Sequence, residues 1–164
     1  MSDGNMTKVL RGALAGVIAG AVASFAMDRF QAAITMLSSD EGDDQEPATE
    51  KAADGVARVV TGHALARPDK PLAGQAIHYA LGIGLGAAYG IAAEFLPAVT
   101  AGRGAAFGIG TATLLDEAMV PAVGLGEAPW KAGVASNLYS YASHLVFGGA
   151  TELVRKQVAT TLTP

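Results

Sequence analysis

The amino-acid sequence predicts an all-α fold: a bundle of four transmembrane helices packed through small residues (Gly and Ala), with one amphipathic helical insert. Three observations predict it. Apolar residues make up 51% of the 164-residue chain and charged residues only 16%, where soluble domains carry roughly a quarter. The apolar residues gather into four stretches, about 9–37, 71–95, 104–125 and 132–154, each long enough to cross a hydrocarbon core of about 30 Å. Inside them small residues recur every fourth position, which lines one helix face and lets backbones approach closely. The whole of 1–164 reads as a single membrane domain, with a polar insert at 38–70.

The mean hydropathy, +0.33, is modest for a membrane protein. Its cause is that the stretches are richer in Ala and Gly than in Leu, Ile or Phe. Such helices insert only marginally one by one, and they gain by packing on each other. The net charge is −4 with no basic run, which argues against nucleic-acid binding, a process that needs clustered Lys and Arg. The absence of cysteine excludes disulfides and thiol chemistry.

Residues 1–8 read as a polar tail. Lys8 and Arg11 then precede an apolar run longer than a signal-peptide core of about 7–15 residues, so a retained first span is expected rather than a cleaved leader. Gly12, Gly16, Gly20 and Ser24 share one face of it. Asp28-Arg29 interrupts the apolar run. Either the helix continues, with Arg29 snorkelling outward and Asp28 inward, or it ends at Met27.

The insert opens with Asp40, Glu41, Asp43, Asp44 and Glu46. From Ala48, a helical pattern sets Val56, Val59 and Val60 on one face with Ala52 and Ala53. It predicts a short amphipathic helix, lying on the membrane surface or else solvated as an ordinary loop helix, stopped near Gly62. The second span carries Gly82, Gly86 and Gly90 in register and ends at Leu96-Pro97. The third aligns Gly104, Gly108 and Ala112, then meets Asp116-Glu117 and Pro121. The fourth sets Ser136, Ser140, His144, Gly148 and Glu152 at four-residue steps before Arg155-Lys156.

Ionisable residues inside such stretches are rare unless paired or used. At about 1.5 Å rise per residue, Asp28 and His78 fall at similar depth in antiparallel spans one and two. Asp116 and His144 fall together near the centres of spans three and four. Two polar layers are therefore expected. Asp116 and Glu117 lie ~100° apart on a helix, so at most one faces the bundle centre. Pro121 cannot donate to the Glu117 carbonyl, which predicts a kink there. Asn137, Tyr141 and His144 share a face and are expected to form a hydrogen-bonded strip with Asp116. These groups either lock helices together or take part in proton transfer or sensing. No tight ligand spacing supports a metal, and no cofactor is expected. Phosphate-loop, nucleophile-elbow, dinucleotide and zinc-protease motifs are absent, so the chain is not expected to be an enzyme.

The segments Thr49-Glu50-Lys51, Thr61-Gly62-His63, Ala76–Gly82 and Gly86–Gly90, with Asp116-Glu117 and Ser143-His144 further on, resemble the YagU-type family of bacterial inner-membrane proteins. The resemblance implies an inner-membrane, multi-pass protein and brings no catalytic residues. Lys8, Arg11, Arg103, Arg155 and Lys156 at one end equal in number Lys51, Arg58, Arg67, Lys70 and Lys131 at the other, but most of the second set lies in the acid-rich insert, so cytoplasmic termini are preferred. The expected function is that of a small non-enzymatic membrane protein with proton-responsive or proton-relaying layers. The alternative is a structural or accessory subunit, in a homo-oligomer or a larger membrane complex, whose glycine ridges contact partner helices in the bilayer.

Overall fold

A computed structural model describes residues 3–38 and 46–162. The described chain is all-helical. α1 spans Asp3–Leu37, α2 Ala48–Thr61 and α3 Lys70–Phe95. A composite rod follows, made of α4 (Ala105–Thr111), a π-helical segment (Ala112–Met119) and the single turn α5 (Val120–Ala122). α6 spans Val134–Thr161. Two of these helical stretches, Asp3–Leu37 and Arg67–Phe95, are long and apolar enough to cross a membrane. The expected acidic opening of the insert lies mostly outside the described residues.

α1 is one unbroken helix from Asp3, so residues 3–8 are helical rather than a tail, and the helix continues through Asp28-Arg29. The two side chains diverge, as adjacent residues on a helix must. Arg29 is exposed, its guanidinium 5.3 Å from the Phe25 ring centroid, while Asp28 turns toward α3. α6 runs past Arg155-Lys156 to Thr161.

Glycine sets how the rods meet. Gly12, Gly16 and Gly20 of α1 face Gly90, Gly86 and Gly82 of α3 in antiparallel register. A methyl group on Gly16 would sit 2.7 Å from the carbonyl carbon of Gly86 and 2.8 Å from the Cα of Ala87. Both are backbone atoms that cannot rotate aside. α4 repeats the device on α6, where Gly104 and Gly108 face Gly148 and the backbone of His144. The ridges are thus used within the chain, against each other.

Burial follows size in the inverse of the usual sense. On α1 the buried residues are Gly12, Ala15, Gly16, Ala19, Gly20, Ala23, Ser24 and Met27. Leu10, Leu14, Val17, Ile18, Val22 and Phe25 point outward, with Leu14 56% exposed beside a fully buried Ala15. A larger apolar cluster, Met27 and Phe147 with Leu85 and Phe107 against it, fills the middle.

α2 starts after Pro47 and ends at Gly62, whose φ of 78° and N–H bond to the Arg58 carbonyl make a left-handed cap. Ala53 is buried against the bundle and Glu50 packs on Gly74 of α3. Asp54 fixes the turn that follows. It accepts hydrogen bonds from Arg58 Nε at 2.9 Å and from the Leu65 backbone N–H at 2.7 Å, and these hold its carboxyl below the usual carboxylate range.

Candidate functional site

The first histidine–carboxylate pair joins α1 to α3. His78 Nε2 lies 3.2 Å from Asp28 Oδ1, within ion-pair reach but off the line of a hydrogen bond. Gln75, one turn before His78, donates Nε2–H to Asp28 Oδ2 at 2.7 Å. The continuity of α1 is what makes this possible, because a helix ending at Met27 would leave Asp28 without a fixed direction.

The second pair joins the composite rod to α6. His144 Nδ1 lies 3.5 Å from Asp116 Oδ2 and 3.1 Å from the Ser140 carbonyl. Ser140 Oγ donates to Asp116 Oδ2 at 2.6 Å. A carbonyl only accepts, so the bond to it assigns a proton to Nδ1. In the neutral ring Nε2 then carries the lone pair.

Asp116 sits inside the π-helical segment. There the Val120 N–H bonds the Leu115 carbonyl, five residues back instead of four. The cause lies just beyond it: Pro121 has no N–H for the Glu117 carbonyl. The expected disruption therefore takes the form of a widened helix. Asp116 faces α6, while Glu117, half-buried, lies off the cavity.

Both pairs line one cavity of about 410 Å³. The expected two layers are thus two walls of a single chamber. Ser24, Gln31, Thr49 and Thr111 add polar groups, and Leu85, Leu115, Met119, Val120 and Phe147 are among the apolar ones. Ala48, Thr49 and Ala52 of α2 wall one side. Ser24 Oγ is fully buried and makes no hydrogen bond. Among the described residues no lysine or arginine lines the space. Among the described residues no group of three His, Asp or Glu is placed to hold a metal ion.

Two residues expected in the strip lie elsewhere. Asn137 donates Nδ2–H to the Pro129 carbonyl at 2.9 Å and ties down the turn before α6. The Tyr141 hydroxyl is 3.0 Å from Thr113 Oγ1, away from Asp116. Ser140 takes the place expected for them, and its position four residues before His144 was the available signal. His63 is exposed, with Nδ1 on the Thr61 carbonyl at 2.9 Å.

A polar cluster not expected from the sequence closes the opposite half of the bundle. Tyr89 OH donates to Glu152 Oε2 at 2.9 Å, and Arg155 holds both oxygens of the same carboxylate at 2.7 and 2.9 Å. Tyr89 is 3% exposed and stacks on Phe107 at 4.3 Å between centroids. Arg11 of α1 pairs with Glu94 of α3 beside this cluster. The i, i+3 spacing of Glu152 and Arg155 was legible; the partnership with Tyr89 required the fold.

These features, an all-helical chain with two long apolar helices, go with a family match. The chain belongs to DUF1440, a family of proteins of unknown function, whose model matches residues 46–153. The match takes in α2 through most of α6 and three of the four paired residues, His78, Asp116 and His144. No curated protein and no solved structure matches the chain.

Proposed function

We propose that this is a small, non-enzymatic integral membrane protein whose chamber is a protonatable site, responding to or relaying protons through its two histidine–carboxylate pairs. The observation that carries it is the convergence of Asp28, His78, Asp116 and His144, from four separate rods, on one cavity. Histidine titrates nearest physiological pH, and an adjacent carboxylate tunes it. A purely locking role would be served by pairs closed off from space; these border a chamber large enough for water.

The membrane reading rests on the inverted burial. In water, an outward array of Leu, Val, Ile and Phe over a Gly/Ala interior would leave a large apolar surface unsatisfied. In lipid, small residues inside are the arrangement that lets helices associate. On this reading the four rods cross the bilayer. Val59 and Val60, 88% and 76% exposed, rest α2 on its surface. The Lys8, Arg11, Arg103, Arg155 and Lys156 end is cytoplasmic, and the protein is of the YagU type in a bacterial inner membrane. An accessory subunit would need a contact surface other than the glycine ridges, which face each other.

Reconstituted in liposomes with an internal pH dye, the protein should pass protons down an imposed gradient. His144→Ala and Asp116→Asn should each lower that flux at least tenfold while leaving helicity intact. Unchanged flux in both variants sinks the relay. Extraction as a soluble monomer without detergent sinks the membrane reading.

A further inference from the structure

The polar side of the chamber is rich in acceptors, beside the Gln31 amide and the Thr49 hydroxyl, which can donate as well as accept. Asp28 and Asp116 supply carboxylates. Gln75 spends an N–H on Asp28 and keeps its carbonyl oxygen. Thr111 donates its hydroxyl proton to the Phe107 carbonyl at 2.8 Å, leaving lone pairs. His144, protonated on Nδ1, presents Nε2 as an acceptor when neutral. Ser24 Oγ, fully buried and unpartnered, is an unmet polar group in the wall. Among the described residues, Asp28 and Asp116 are the carboxylates of the lining, and it holds no lysine or arginine.

An anion has no counter-charge here, and a bare metal ion lacks a ligand triad among the described residues. A ligand with donors and one positive charge matches the acceptors. The remaining wall is largely apolar, with Leu85, Leu115, Met119 and Val120 among its side chains, which suits a hydrocarbon body. The volume falls in the range of small-molecule sites, about 300–1,000 Å³.

We propose that the chamber binds a small organic monocation, an ammonium group on an apolar body, in exchange for protons held by the histidine–carboxylate pairs. The idea rests on the protonatable-chamber reading for its proton linkage, and on the acceptor lining for the cation. The titratable groups around the site are Asp28 from α1, His78 and the neighbouring Tyr79 from α3, Asp116 from the π-helical segment and His144 from α6. Glu117 lies outside the lining; on α2, Glu50 packs on Gly74 and Lys51 bonds the Leu125 carbonyl. A bound ammonium repels an imidazolium in the same chamber, so binding one expels the proton of the other. Linkage makes this reciprocal: acid weakens cation binding by the factor by which the cation weakens protonation.

The test is calorimetric titration of the purified full chain in mild detergent, with empty micelles as the blank. Three single-ring probes of similar size are used: benzylammonium, neutral benzyl alcohol and anionic benzoate. The expected result is saturable one-to-one binding of benzylammonium, at least tenfold tighter than either other probe and weaker at pH 5 than at pH 7.5. Asp28→Asn and Asp116→Asn should each weaken it tenfold or more, and exposed His63→Ala should leave it unchanged. The probe comparison on the unaltered chain stands even if an Asp variant fails to fold. Benzyl alcohol or benzoate binding as tightly, or no saturable heat from benzylammonium, overturns the cation site. Histidine-labelled NMR titration separates the two ideas. If His78 and His144 titrate while benzylammonium does not bind, the cation site fails and the protonatable chamber stands. If benzylammonium binds with the same affinity at pH 5 and pH 7.5, the cation site stands while the exchange falls, and the histidine titration alone decides the protonatable chamber.

Discussion

Alanine at Gly16 perturbs the α1–α3 contact by a single methyl group. That methyl would lie 2.7–2.8 Å from the carbonyl carbon of Gly86 and the Cα of Ala87, where carbon atoms pack at about 3.5–4.0 Å. Neither atom has a rotamer to change, so the helices must separate by about 1 Å and loosen the Gly12/Gly90 and Gly20/Gly82 contacts with them. Overpacking costs about 1–3 kcal/mol, and backbone opponents place this site toward the upper value. Replacing a mid-helix glycine by alanine returns roughly 0.5–1 kcal/mol. The net expectation is a loss of about 1–2 kcal/mol. Gly84 supplies the contrast, because an added methyl there meets nothing within 4 Å. Gly84→Ala on α3 should therefore be neutral or stabilising. Equilibrium unfolding in mixed micelles, followed by far-UV circular dichroism, reads both. The double variant Gly16→Ala/Gly86→Ala should lose less than the two single losses combined, since the first methyl has already parted the helices. Equal stability of Gly16→Ala and Gly84→Ala would refute the close contact.

Three further outcomes are expected. Glu152→Ala leaves Arg155 without its carboxylate in a half-buried setting and should destabilise by about 3 kcal/mol, against about 1 kcal/mol for Tyr89→Phe, both read by the same unfolding assay. Asp54 has a folded pKa below its unfolded value, so its contribution is full above the ordinary carboxylate range and is lost as pH falls through the lowered value. The Leu65 amide, bonded to Asp54, should then lose hydrogen-exchange protection only in acid, and Asp54→Asn should abolish that pH dependence. Pro121→Ala restores an N–H within reach of the Glu117 carbonyl and should let the π-helical segment tighten to α-helical bonding. Asp116 then turns off Ser140, and on the proposed proton function liposome flux should fall by the factor expected for Asp116→Asn while helicity persists.

Much of the architecture was legible because it is periodic. Four-residue spacing of Gly12, Gly16 and Gly20 and of Gly82, Gly86 and Gly90 announces faces that want close contact, and rise per residue alone puts Asp28 level with His78 and Asp116 level with His144. Depth, however, is one coordinate. Whether the two pairs share a chamber depends on helix rotation, which the glycine contacts set only once the chain is folded. Asn137 and Tyr141 show the same limit. They share a face with His144 by spacing, yet the Pro129 carbonyl captures one and Thr113 the other. Pro121 signalled a disruption without its form, since a kink and a π-helical widening both relieve a missing donor. Tyr89 with Glu152 joins positions 63 residues apart, and no local pattern carries such a partnership.

The glycine clamp also has a mechanical meaning. It grips α1 and α3 in the half of the bundle that bears the termini, and the chamber lies beyond its end, under α2. Gly16 stands twelve residues from Asp28, about 18 Å along the helix at 1.5 Å per residue. Three backbone contacts spread over two turns resist tilt as well as separation. A tilt of about 5° at Gly16 would carry Asp28 by roughly 1.5 Å over that length, half the 3.2 Å that separates it from His78, so the clamp holds the chamber wall in place from a distance.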